Sequence, residues 1–539
     1  MKNESCNIWT NRTAQLIVVF AILLALLGSG CSVTAPKLSP EDRKRDIQFM
    51  ADWARDYGPY AKLAQKHKGT PDYEVLLPKY LEYAGQAESN EMFYRVAVEY
   101  FRLICPAGHA YLPSEGQLRG IRVYTLLGFV DFGINAFTIH HSLYWARHAW
   151  KWTLTVRPPF GITCKDNKYY TDDDWWTVPR GSQIVKVNGM SCPAYLDYIK
   201  ESTVLRYSAY PKDWTKEYLL VIDEREDFKG WQVDFILPDK STQNVFVHAL
   251  RGLPDPRARK GRIQTVEAKD NCTCIELSDE VAYIRIKDME SGGNLSYVIP
   301  SRFRKDGKMI KAFLDDANGK YHKLIIDVRN NPGGVPYYVY ENLIRPFLNE
   351  SVTYDEVSGL RRRYRDNLTK SELKTLRSHI SGKKENVINI EEIDAPEGFD
   401  PNEFVFYRIT RRIEPGNQYN FNGSVYVMIN RRTFSAADIY ANLVKRFGIG
   451  KLVGQNTSSG YCAYIQPTHL RLPASGMIFV VETELCINPE GRVHALTGTS
   501  PDIQLEPADP PRSITKEDLL EDEWIKWVLA DERDRVDRE

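Results

Sequence analysis

Two nearly unbroken apolar runs, each leading into a turn, constrain this fold most. Leu324-Ile325-Ile326-Asp327-Val328 enters Arg329-Asn330-Asn331-Pro332-Gly333-Gly334, and Val425 to Ile429 precedes a segment with Ala436, Ile439, Tyr440, Leu443, Val444 and Phe447 on one helical stripe. Strands with no polar alternation are buried on both faces, and a helix after each one covers the sheet. With a further strand read at Val281 to Ile286, residues 271–510 become an α/β core whose sheet contains parallel pairs. Between these strands, residues 349–422 are charge-rich and weakly periodic, with Arg361-Arg362-Arg363 and Lys383-Lys384-Glu385, and read as an insertion over the core.

The segments before this core have other periods. Ser39-Pro40-Glu41-Asp42 opens a helix carrying Ile47, Met50, Ala51 and Ala54 on one stripe, and Tyr57-Gly58-Pro59 stops it. A second helix places Phe93, Val96, Ala97, Tyr100, Phe101 and Ile104 on one face and ends at Pro106 and Gly108, just before His109. Residues 31–112 thus read as a tether and a helical domain. From about Trp152 the chain turns to short strands: Gly181 to Gly189 is a strand running into an Asn188-Gly189 turn, preceded by Pro159-Phe160-Gly161-Ile162. These two segments resemble the PDZ fold, so residues 113–270 read as a connecting segment and a PDZ-like β domain. There Phe160, Gly161 and Ile162 are the peptide-binding loop that the resemblance implies. Residues 511–539 read as a C-terminal helix.

The first 30 residues read as a signal peptide. Lys2 and Arg12 precede an apolar run from Leu16 to Leu27, which at ~1.5 Å per residue reaches ~18 Å and falls short of a ~30 Å bilayer core. Leu27-Gly28-Ser29-Gly30-Cys31 resembles the lipobox of bacterial lipoproteins, with Gly28 where leucine is usual, and this implies lipidation of Cys31. A plain secretory cut nearby is the alternative. Either way the mature chain is expected outside the cytoplasm; lipidation adds a membrane anchor, with an outer-membrane location expected.

The 71 basic and 71 acidic side chains cancel, which gives no electrostatic footprint for nucleic acid. HExxH, GxxxxGK[ST] and GxSxG are all absent, and the nine cysteines show no paired metal-ligand spacing, so neither a metal nor a cofactor is expected. Ser435, after a buried strand and at the start of a helix, is the candidate for chemistry, because free amides and the helix dipole there stabilise a developing oxyanion. A serine at that place is also a common helix cap.

Four segments in chain order resemble the S41 peptidase family, the C-terminal processing and tricorn-type serine proteases. Asp327 to Gly334 matches D-L-R-x-N-x-G-G, and Thr433-Phe434-Ser435-Ala436-Ala437-Asp438 matches T-x-S-A-A-E. Leu452 to Thr457 matches V-G-x-x-T, and Gly498 to Ile503 matches G-V-x-P-D-I. The resemblance implies an α/β multidomain chain with a ClpP/crotonase-like core and Ser435 as nucleophile. It also implies an oxyanion hole from the amides of Gly333 and Ala436, with Gly334 the neighbouring alternative. The lysine that one branch carries in T-x-G-K-G is missing from Thr457-Ser458-Ser459-Gly460-Tyr461. The tricorn-type branch takes a histidine from D-G-H-T, which Ala107-Gly108-His109-Ala110 partly matches, so His109 is the expected base; a structural histidine at a helix end is the alternative.

That branch orients its histidine with a glutamate, and Ala495 stands at the corresponding position. Glu482, Glu484, Glu490 or a hydroxyl are open as replacements. The expected function is an exported serine endopeptidase acting on polypeptides, their C-terminal tails included. The competing reading is a catalytically inactive S41-like polypeptide-binding protein. For the anchor, Cys31→Ser should move the protein from the membrane to the soluble extracytoplasmic fraction on cell fractionation; unchanged membrane association with an unmodified Cys31 refutes lipidation.

Overall fold

The computed structural model describes residues 35–68, 72–113, 139–152, 168–171, 174–195, 230–248, 271–290, 303–317, 319–367, 387–458, 468–506 and 514–531, with short pieces elsewhere. The segment read as a signal peptide, with Cys31, lies outside the described residues, as does Gly161. The chain divides into two units, Met1–Thr155 with Gln466–Thr483, and Val156–Ile465 with Glu484–Glu539. Residues 466–483 therefore leave the continuous core expected over 271–510 and join the helical unit.

In the helical unit, Pro40–Asp56 starts with a capping box in which the Asp42 amide donates to Ser39 Oγ and the Ser39 amide to Asp42 Oδ2. Its buried face holds Ile47, Met50, Ala51 and Ala54, as the spacing predicts. Helix Asn90–Ile104 buries Phe93, Ala97, Tyr100, Phe101 and Ile104. Three more helices, Ala61–Lys68, Tyr73–Gln86 and Ile139–Trp152, were not singled out from sequence. A hairpin of Thr468–Arg471 and Ile478–Val481 packs on them, with Phe479 stacked on Phe101 at a centroid distance of 4.2 Å.

The second unit begins with an antiparallel sheet in the order Ile162–Lys165, Lys168–Thr171, Gln183–Val187, Gly230–Ile236, Thr242–His248. Asn188 and Gly189 have φ of 50° and 78° and close a tight hairpin to Met190–Ser191, as their dipeptide predicts. Phe160 is buried in this sheet's core with Tyr169, Trp231 and Phe235, and Ile162 opens the edge strand.

The main sheet runs Ile503–Gln504, Lys451–Gly454, Ser424–Ile429, Lys323–Asp327, Val281–Ile286, all parallel, with Cys272–Ser278 antiparallel at one edge. Alternate residues face opposite layers. Leu324, Ile326, Val425 and Val427 join the core containing helix Ala436–Phe447, while Ile325, Tyr426, Met428 and Val453 meet Leu519, Trp524, Ile525 and Val528 of the C-terminal helices. The segment read as a weakly periodic insertion contributes three strands of a second, antiparallel sheet: Val387–Ile393, Phe404–Ile413, Val352–Arg361, then Glu484–Ile487. Charge hides its pattern, because Arg411 pairs with Glu356 inside the structure at 2.8 Å and Arg408 pairs with Glu391 across strands at 2.6 Å.

A buried charge network fixes the end of strand Lys323–Asp327. Arg329, fully buried, donates to Asp327 Oδ2 at 2.7 Å and to Asp522 Oδ2 at 2.9 Å, and lies over the Trp524 ring. Arg285 adds a bond to Asp327 Oδ1 at 2.9 Å and one to the Arg329 carbonyl at 2.6 Å, and Tyr283 donates to Asp327 at 2.8 Å. Burial pushes the Asp327 carboxyl up, but Arg329 and Arg285 outweigh it and bring it down to about 2. A carboxyl depressed in the folded state contributes stability above its unfolded value and loses it on acidification, here as pH falls from about 4 toward 2. Arg329→Met leaves Asp522 buried without its guanidinium and Asp327 with Arg285 alone, and should cost ~3–5 kcal/mol in urea unfolding. A loss under ~1 kcal/mol would show that the network is not structural.

Candidate active site

The loops after strands Lys323–Asp327 and Ser424–Ile429 are stitched together by side chains. The Asn330 amide donates to Asn430 Oδ1 at 2.9 Å, and Asn430 Nδ2 donates to Asn330 Oδ1 at 2.8 Å. Thr433 Oγ1 donates to the Val328 carbonyl at 3.0 Å, and the Phe434 amide donates to the Asn331 carbonyl at 3.0 Å. Asparagine at 330 also suits its φ of 58°. These bonds set Ser435 beside the glycine turn. A Cβ on Gly333, whose φ is 91°, would lie 2.5 Å from Ser435 Cβ and 2.7 Å from the Ala436 nitrogen, so only glycine fits.

Ser435 occupies the N-cap position of helix Ala436–Phe447 with φ 57° and ψ −125°, and its side chain makes no cap hydrogen bond. The plain cap reading therefore fails. That backbone region is sparsely populated for a residue with a side chain, so the surrounding bonds must hold Ser435 there. The amides divide differently from expectation. Gly333 N–H already donates to Asn331 Oδ1 at 2.8 Å, whereas among the described residues no acceptor meets the amides of Gly334 and Ala436. Gly333 thus packs against the serine with its own amide engaged, while Gly334 is the neighbouring alternative named from the sequence.

Beneath the helix start, the fully buried Asp438 accepts from Thr457 Oγ1 at 2.6 Å and Thr499 Oγ1 at 2.7 Å, and pairs with His494 Nε2 at 2.7 Å. Desolvation pushes this carboxyl up, but His494 and the two hydroxyls hold it below the ordinary carboxylate range. The cluster ties the V-G-x-x-T and closing segments to the serine turn. Sequence reasoning placed Asp438 in a motif but did not see its partner His494. Gly460, with φ 98°, backs onto the Phe434 ring, where a Cβ would come within 2.3 Å.

Ser435, Gly333, Gly334 and Ala436 belong to the α/β unit and His109 to the helical unit. Within the helical unit, Tyr111 and Val480 form an antiparallel bridge, their amides donating to each other's carbonyls at 3.3 and 2.8 Å. Antiparallel register then puts the residue two before Tyr111 opposite the residue two after Val480. Those residues are His109 and Glu482. The His109 ring Nδ1 lies 3.0 Å from Glu482 Oε1, and the His109 amide donates to Oε2 at 3.2 Å. Gly108 has φ 75°, and a Cβ there would fall on the Glu482 carboxylate, 1.6 Å from Oε2. Burial first, and the Glu482 charge second, push the nearby Cys105 thiol well above its ordinary value.

Of the open replacements for the missing acid, the structure thus pairs Glu482 with His109. Glu484 is buried and accepts from Ser358 Oγ instead, and Glu490 lies exposed on a turn. Ala495, in the short helix His494–Thr497, is buried. Sequence could not rank these acids, because the signal is a register between segments some 370 residues apart.

The model of Peptidase family S41 matches residues 280–505. No relative is found among curated proteins. Among solved structures, mature CPAF is similar with TM-score 0.53 and 13% identity over 86% of this chain and 93% of that one. Mature CPAF complexed with lactacystin gives 0.52 and 13% over 86% and 94%. A putative peptidase from Parabacteroides merdae aligns over 92% of this chain and 96% of its own with 14% identity, at a TM-score of 0.41. At such identities the CPAF likeness shows a shared fold alone. The family match thus gives residues 280–505 as a domain of Peptidase family S41, a domain of serine-type peptidases.

Proposed function

We propose that the chain is an exported serine endopeptidase that cleaves polypeptides through an acyl-enzyme, with Ser435 as nucleophile, His109 as general base and Glu482 holding the imidazole. The observation that carries this reading is the bond of His109 Nδ1 to Glu482 at 3.0 Å, which supplies the acid that Ala495 does not. A carboxylate on Nδ1 keeps the proton there and leaves Nε2 as the acceptor that a serine proton requires.

In this scheme Nε2 takes the Ser435 hydroxyl proton as Oγ bonds to the peptide carbonyl carbon. The oxyanion that forms is met by the amides of Gly334 and Ala436. Collapse breaks the C–N bond, and the imidazolium returns its proton to the leaving amine. Water, deprotonated by the same imidazole, then bonds to the acyl carbon, the C–Oγ bond breaks, and the imidazolium returns its proton to Oγ. The inactive binding-protein reading rests on the acid missing at Ala495, and the Glu482 carboxylate beside His109 supports the catalytic reading over it. The antiparallel 162–248 sheet, with its Asn-Gly hairpin and the edge strand Ile162–Lys165, supports reading this domain as PDZ-like, presenting backbone near Phe160 and Ile162 to polypeptide tails.

Fluorophosphonate labelling tests the pair directly. Ser435→Ala and His109→Ala should abolish labelling, Glu482→Gln should slow it by ~10²- to ~10⁴-fold, and Lys451→Ala should leave it unchanged. Labelling lost with Lys451 and kept without His109 sinks the assignment. Gly333→Ala should fold, by circular dichroism, yet label at least ~100-fold more slowly, since its methyl displaces Ser435. Parental labelling in that variant refutes the serine's placement against the turn.

A further inference from the structure

We infer that Asp46 is a positioning residue for the His109–Glu482 pair, acting through the hairpin that delivers Glu482; the inference rests on the function proposed for that pair. Asp46 lies on helix Pro40–Asp56 and is fully buried. Its two oxygens accept from the amides of Ala474 and Ser475, at 2.8 and 2.9 Å, at the tip of the hairpin formed by Thr468–Arg471 and Ile478–Val481. The tip's carbonyls are taken by helix Ile139–Trp152: Ser142 Oγ donates to Gly476 and Trp145 Nε1 donates to Ser475 at 2.8 Å.

A turn needs no buried charge to form, since asparagine or serine would satisfy its amides at lower desolvation cost. Desolvation accordingly pushes the Asp46 carboxyl up, against the bonds from Ser475 and Ala474 and the more distant Arg45. Arg471, on the hairpin, also feels the Asp46 charge, yet its Nε meets no hydrogen-bond partner. The carboxylate thus spends both oxygens on the tip, in charge-assisted bonds that are stiffer than neutral ones.

What the tip fixes is the far end. From the tip the ladder runs through Arg471–Ile478 and Leu470–Phe479, Phe479 stacks on Phe101, Val480 pairs with Tyr111, and Glu482 follows opposite His109. Phe101 belongs to the helix that leads to His109, so both members of the pair are referenced to one helical frame. With the tip released, the hairpin can turn about the Phe101–Phe479 stack, and Glu482 shifts against the imidazole.

The test is a double-mutant cycle in the full chain, using Asp46→Asn, which keeps shape but loses the charge and one acceptor, and Glu482→Gln. Asp46→Asn should remain folded and acylate with fluorophosphonate ~10- to ~100-fold more slowly. The loss should fall on the acylation rate at saturating probe and leave the probe's reversible binding unchanged, as expected of a residue that acts only through the pair. On the Glu482→Gln background the same change should cost less than twofold. Equal losses on both backgrounds, or a loss confined to binding, mean a merely structural Asp46 and overturn the inference. If Glu482→Gln itself acylates at the parental rate, the reading of the pair fails and takes this inference with it. Should Asp46→Asn not fold, Ser142→Ala, which frees the Gly476 carbonyl of the same tip, must show the same loss of acylation rate and the same non-additivity, or the inference is wrong.

Discussion

The reciprocal bonds between Asn330 and Asn430 are the constraint on which the serine's surroundings depend. Parallel strands end side by side with their last peptide groups unpaired, and something must decide how the two departing loops run. Here two side-chain amides bind each other and the opposite backbone, and Thr433 and Phe434 extend the seam to Val328 and Asn331. A rigid seam is what permits Ser435 to hold a backbone conformation that costs ~1–3 kcal/mol. The same seam presses the Gly333 backbone against the serine, so the turn is specified by contact as much as by sequence.

Two further anchorages keep that seam in place. Below it, Asp327, Arg329 and Asp522 join the strand end to the C-terminal helices, beyond the residues that the family model covers. Beside it, Asp438 gathers Thr457, Thr499 and His494 under the first turn of the helix that Ser435 begins. Both are buried, charged and fully hydrogen-bonded arrangements, costly to desolvate but strict about geometry. Such strictness suits a reaction in which misplacement by an ångström matters more than a kilocalorie of stability.

Sequence made the main sheet legible because its strands are apolar on both faces and followed by helices at the expected stripe. Val281 to Ile286 and Val425 to Ile429 emerge within a residue of their observed bounds. The second sheet was not legible, since Arg361, Glu356, Arg408 and Arg411 occupy strand positions where alternation would otherwise show. Ser435 was visible through its motif. Its strain was not, nor was the use of the Gly333 amide by Asn331, a two-residue side-chain turn that competes with any oxyanion role. Glu482 was one acid among several, and only the Tyr111–Val480 register distinguishes it.

The hairpin that carries Glu482 lies late in the chain although it belongs to the helices at the front. About 310 residues separate Thr155 from Gln466, and at ~5–20 residues per second the ribosome needs ~15–60 s to cross that gap. Throughout that interval the helices have His109 in hand but neither its acid nor the turn that Asp46 will grip. The contact of His109 with Glu482 forms only after synthesis has passed this hairpin. The helical unit therefore cannot finish its packing until the chain up to Ile465 has been made, so the two units are completed in an interleaved order and not one after the other.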